Sequence, residues 1–179
     1  NIPENVYCIY ALNMIGAVAD MVDLRANGDI LVQYLCESNA KVAVVCDLFV
    51  QNITAVLDRT PIRHVVAASP FDLLSPPIRA LMKRKNKVTH LPAQTMSWKQ
   101  FCRLGKNTSV EESSNSDDLA CIFHTSGTTG ISKGVMLTNR NFNAMAKQCW
   151  IDGFEYSRGD TCLNQVPPFL AYNELMRSE

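Results

Sequence analysis

Leu119-Ala-Cys-Ile-Phe-His124 runs without interruption into Thr125-Ser-Gly-Thr-Thr-Gly-Ile-Ser-Lys-Gly-Val135. The first segment has strand composition. The second gathers Gly127, Gly130 and Gly134, the hydroxyls of Thr125, Ser126, Thr128 and Thr129, and Lys133. Glycines let successive backbone N–H groups converge on an anion. Hydroxyls add neutral donors for phosphate oxygens or a ligand for magnesium, and a lysine adds a mobile positive charge. A polyphosphate is the guest such a loop suits. The Walker pattern is absent, because Ser132 stands five residues after Gly127 and Lys133 is followed by Gly134. A GxGxxG dinucleotide fingerprint is absent too. The plain alternative is a Ser/Thr/Gly-rich hairpin loop between strands at 119–124 and 135–138.

Upstream, residues 105–118 are almost free of apolar side chains and read as a surface linker. They separate a first portion, 1–104, from a phosphate-loop portion, 119–179, within what reads as one incomplete domain. In the first portion, 41–46 and 62–68 are short β-branched runs without polar alternation, the pattern of strands covered on both faces. Phe49, Ile53, Val56 and Leu57 mark a helix face between them. Strands alternating with helices predict an α/β chain of layered βαβ units with a mainly parallel sheet.

Residues 6–22 are apolar nearly all round and predict a helix buried between layers. After the turn at Asn27-Gly28, Asp29 is the expected N-cap of a helix carrying Ile30, Leu31, Tyr34 and Leu35, which Asn39 closes. Pro70, Pro76 and Pro77 punctuate a loop before a helix through Ile78, Leu81 and Met82. Lys83, Arg84, Lys85 and Lys87 then suit the helix C-terminus as a solvated cationic end, with a membrane-surface or phosphate patch as the alternative.

Composition excludes more than it identifies. With 179 residues, 47% of them hydrophobic, the chain has material for a core, and disorder, collagen and coiled coil are excluded. Seventeen basic residues balance seventeen acidic ones, which leaves no electrostatic footprint for nucleic acid or an anionic membrane. The seven cysteines form no CxxC pair and have no histidine at metal-ligand spacing, as expected of a reducing cytosol. No stretch has the pattern of a signal peptide or a membrane span. The chain starts without Met, so residue 1 need not be a natural start.

The segment Thr125 to Val135 resembles the phosphate-binding signature of the adenylate-forming superfamily, which includes AMP-forming acyl-CoA synthetases, peptide-synthetase adenylation domains and beetle luciferases. His124 stands where an aromatic such as Tyr is frequent, and Ser132 where Pro is frequent. The segments Asn13 to Ala26 and Thr138 to Phe142 are similar to the family's segments before and after this loop. Pro167-Pro-Phe-Leu-Ala-Tyr172 resembles its next motif, with Leu170 in place of a frequent His and Asn173-Glu174 in place of an expected Gly. Bacterial fatty-acid–CoA ligases look closest there.

The resemblance implies part of the large N-terminal domain of a cytoplasmic enzyme that joins a carboxylate to ATP and passes the acyl group from the adenylate to CoA. It implies ATP, Mg²⁺ and CoA as cofactors and co-substrates, with Thr125, Ser126, Gly127, Thr128, Thr129, Gly130 and Lys133 on the β- and γ-phosphates. Thr125 would also touch Mg²⁺, and Pro168, Phe169, Leu170 and Tyr172 would border the acyl pocket. Family members are several times longer, so this chain alone is expected not to catalyse adenylation. The alternatives are an adenylation domain loading a carrier protein and a non-catalytic nucleotide-binding remnant.

Overall fold

The computed structural model describes residues 2–86, 91–125, 133–151 and 159. They fall into two compact units: 22–109 form one, and 3–21 with the residues from 110 onward form the other. The architecture is mixed α/β, as the strand and helix alternation predicts. Three of the four strand pairings are parallel, but they are divided between two three-stranded sheets.

In the 22–109 unit, β2 (Val42–Cys46), β3 (His64–Ala68) and β4 (Thr95–Ser97) are parallel in that order. Val42 pairs with His64 and Cys46 with Ala68; Val65 pairs with Thr95 and Ala67 with Ser97. The helices that parallel connections require precede or link these strands. They are α2 (Gly28–Glu37), the short α3 (Val50–Thr54) and α4 (Pro76–Lys85), and β4 leads straight into α5 (Trp98–Leu104). Leu35, Val45, Val50, Ile53, Val56, Ile62, Val65 and Ala67 form the core. Ile53 is fully buried, and truncating such a side chain to Ala costs about 2–5 kcal/mol.

Several local expectations need correction here. Asn27, not Asp29, caps α2: its side chain accepts from the Asp29 N–H at 3.0 Å, which frees the Asp29 carboxylate to take Arg59 at 2.8 Å. Asn39 does close the helix, with φ +53° just past the Ser38 cap. Helix α4 forms, but Ile78 and Leu81 are exposed. Its inner side is held by polar contacts: Arg79 Nη2 donates to the Leu74 carbonyl at 3.0 Å, and Lys83 lies 3.3 Å from Asp72 and 3.8 Å from Asp47. Lys83 is therefore an ion-pair partner rather than part of a solvated end, while Lys87 lies outside the described residues.

In the other unit, α1 (Pro3–Met14) precedes β1 (Ala19–Met21), and β5 (Leu119–Thr125) and β6 (Lys133–Thr138) precede α6 (Asn139–Ile151). β5 is the central strand, parallel to β1 and antiparallel to β6. The helix expected over 6–22 thus stops at Met14, and it is not buried throughout, since Tyr7, Tyr10 and Met14 are exposed. Gly16, at φ +66°, ends it: Gly16 N–H donates to the Asn13 carbonyl and Ala17 N–H to the Leu12 carbonyl, consuming carbonyls the helix would otherwise leave open. Ala19–Met21 then pair with Cys121–Phe123. Ala19, Cys121 and Phe142 form the core, with Leu12, Met21, Phe123 and Leu137 packed around them.

The segment before β5 is exposed yet tied down. Ser113 N–H donates to the Met14 carbonyl at 2.9 Å, and Arg140 at the start of α6 grips Asp117 with Nε at 2.6 Å and Nη2 at 2.8 Å. The Asn141 side-chain oxygen accepts from both the N–H and the hydroxyl of Thr138, at 2.8 and 3.0 Å, fixing the passage from β6 into α6.

Candidate phosphate site

Two strand ends build the site. The Cα atoms of Thr125 on β5 and Lys133 on β6 are direct antiparallel partners, and one step in, His124 is opposite Gly134. Thr125 Oγ1 donates to the Lys133 carbonyl at 3.4 Å. Both residues are exposed, as groups that receive a ligand must be. Of the sequence-predicted site residues, Thr125 and Lys133 are therefore brought together. Ser126, Gly127, Thr128, Thr129 and Gly130 lie outside the described residues, as do Pro168, Phe169, Leu170 and Tyr172.

Sequence reasoning missed the side chains just beneath this mouth. His124 Nε2 donates to Asp20 Oδ1 at 2.7 Å, and the two side chains are only 6% and 9% exposed. Asp20 belongs to β1, where it is opposite Ile122, so the bond reaches diagonally across the β1–β5 pair. On the other flank, a Cβ added to Gly134 would come within 3.1 Å of Ile122 Cγ2 and 3.9 Å of His124 Cε1. The glycine leaves that space to Ile122 and the edge of the imidazole. The available signal was Asp20, the one charged residue in the run 6–22, and His124, the one polar residue in the run 119–124.

The donor set has a definite chemical bias. An ammonium group and a hydroxyl at one strand mouth suit an anion. A magnesium ion takes oxygen ligands, commonly carboxylates, whereas Thr125 brings one hydroxyl. Among the described residues no group of three His, Cys, Asp or Glu side chains could hold a metal ion. These residues fit a polyphosphate and do not by themselves fit a metal. Among the described residues no helix is long and apolar enough to cross a membrane. Among the described residues, Cys36, Cys46, Cys102 and Cys121 form no disulfide.

The chain matches the AMP-binding enzyme family over residues 1–176, and it belongs to that family. It is 32% identical over 122 residues to the long-chain-fatty-acid–CoA ligase of Escherichia coli O157:H7, covering 64% of this chain and 22% of that protein. It is 24% identical over 161 residues to the acetyl-coenzyme A synthetase of Psychromonas ingrahamii, covering 88% of this chain and 24% of that one. The chain thus spans less than a quarter of these relatives' lengths. Among solved structures it superposes on a provisionally assigned long-chain-fatty-acid CoA ligase from Rhodopseudomonas palustris with TM-score 0.71 at 20% identity, over 98% of this chain and 39% of that one. At that identity the likeness is one of fold.

Proposed function

We propose that this chain carries the polyphosphate-gripping segment of an ATP-dependent, AMP-forming acyl-CoA synthetase. The observation that supports this most directly is the in-register pairing of Thr125 with Lys133 at the two ends of the Gly- and hydroxyl-rich segment 126–132. Family membership and the ligase names of its relatives point the same way.

In this reading a carboxylate oxygen attacks the α-phosphorus of ATP, and pyrophosphate leaves with the electron pair of the broken P–O bond. Negative charge accumulates on the leaving group, so donors fixed before the reaction lower the barrier. Lys133 supplies the positive charge. The Thr125 hydroxyl, whose bond to the Lys133 carbonyl is long at 3.4 Å, turns to a phosphate oxygen at small cost. Ser126, Thr128 and Thr129 add neutral donors, and Gly127 and Gly130 permit close backbone approach. The CoA sulfur then attacks the acyl carbon of the adenylate and loses its proton, AMP leaves with the electron pair of the broken C–O bond, and Pro168 to Tyr172 border the acyl chain, in a reducing, cytoplasmic compartment.

Carboxylate-dependent ATP–pyrophosphate exchange, measured on the protein encoded by the reading frame that contains this chain, tests the proposal. Lys133→Ala is expected to lower exchange by about 10²-fold or more, the scale on which loss of one preorganised charge-stabilising donor acts. Exchange at the unmodified rate would refute the reading.

A further inference from the structure

Resting on that reading, we propose that Asp20 and His124 are positioning residues, which act through the strands they bridge to hold Thr125 and Lys133 at the spacing that receives a polyphosphate.

Three observations carry this. First, the bond is short and enclosed: Nε2 to Oδ1 is 2.7 Å, and both side chains are more than nine-tenths buried. A charge-assisted bond out of water is stiff, and it is stronger than the same bond at the surface. Second, it joins different strands. His124 lies on the central strand, Asp20 on one neighbour, and the imidazole edge faces Gly134 on the other. Third, His124 and Gly134 are each one residue from a ligand candidate, Thr125 and Lys133 respectively. A shift of the ring is therefore transmitted to both sides of the mouth.

The pair has an electrostatic consequence as well. Asp20 places a carboxylate in the sheet that bears the anion site, where an unshielded negative charge would oppose the ligand. The His124 hydrogen bond takes up one carboxylate oxygen and partly screens its charge. The residue preceding Thr125 thereby takes a role that a phenyl ring could not perform.

The test measures inorganic pyrophosphate binding to the 179-residue chain by calorimetry, with thermal melting of each variant alongside. Asp20→Asn keeps an acceptor for Nε2–H and is expected to bind within about threefold of the unmodified chain. The double variant Asp20→Val with His124→Phe removes both polar groups together, so it strands no buried charge and keeps its melting temperature. It is expected to bind at least about tenfold more weakly, because groups displaced from the binding geometry lose affinity without loss of fold. A double variant that melts normally and binds pyrophosphate as tightly as the unmodified chain would overturn the positioning role alone. Failure of the unmodified chain to bind pyrophosphate would overturn the phosphate-site reading, and this inference with it.

Discussion

Thr125 and Lys133 face one another as Cα partners at the last rung of the β5–β6 ladder, while eight positions separate them in the chain. An antiparallel pair is an economical way to present a loop, because the ladder fixes both ends at once. Thr125 and Lys133, two of the residues proposed to grip phosphate, sit at that fixed point. Their neighbours His124 and Gly134 continue the register inward, where Asp20 anchors the central strand.

Gly16 ends α1 in a conformation and a space that only glycine suits. Its φ is +66°, and a Cβ there would lie 2.5 Å from the Ser113 carbonyl oxygen. Gly16→Ala is expected to destabilise the chain by more than about 1 kcal/mol, since left-handed strain and a backbone clash add. Urea unfolding would check this; an unchanged midpoint would mean that 113 does not pack against the helix end.

Ser97 and Gln100 form a capping box at α5, Ser97 Oγ accepting from the Gln100 N–H and Gln100 Oε1 accepting from the Ser97 N–H at 2.9 Å. Ser97→Ala is expected to cost about 1 kcal/mol, and Ser97→Asp much less. Equal melting of both variants would show that the cap does not matter to stability.

Cysteine reactivity follows burial. Cys36 and Cys102 are exposed, whereas desolvation pushes the Cys121 thiol up to about 12 and burial also raises that of Cys46. In native protein at pH 8, iodoacetamide followed by peptide mass analysis is expected, among the described cysteines, to label Cys36 and Cys102 first, and Cys121 only after denaturant is added. Labelling of Cys121 at the rate of Cys102 would contradict the packing around Phe142.

Acid sensitivity has a definite sign. The Arg25 hydrogen bond holds the Asp23 carboxyl below its ordinary value, and the Arg140 hydrogen bond does the same for Asp117. A carboxyl depressed in the folded state contributes stability above its unfolded pKa of about 3.9, and loses it as pH falls through the lower folded value. Melting temperature is thus expected to fall below about pH 4, more gently in high salt because both pairs are solvent-exposed. Arg140→Gln should flatten part of that slope; an identical slope would remove Asp117 from the account.

Much of the fold was legible because single segments carry it. Val42–Cys46 and His64–Ala68 are apolar runs that form strands as expected, but only the second is covered, from Val65 onward, whereas in the first Val42 is exposed and only Val45 is buried; the turn from Thr138 into α6 shows in its Asn-rich start. Features set by distant partners were not legible. Apolar residues continue from α1 through Met21, so nothing in periodicity separates the helix from β1. The separation comes from Gly16 and from pairing with Cys121–Phe123, about a hundred residues away. The Asp20–His124 bond has the same origin. β4 and α5 had a local signal, Ser97 followed at the third position by Gln100, that only the structure brought to notice.

The central claim is that Lys133 and the residues preceding it form an anion site. Calorimetric titration of inorganic pyrophosphate into the 179-residue chain tests it most directly, using Lys133→Ala and the exposed Lys106→Ala as a matched pair. The account predicts saturable binding that Lys133→Ala weakens at least about tenfold and Lys106→Ala leaves unchanged. Absence of binding by the unmodified chain, or equal binding by all three proteins, would contradict it.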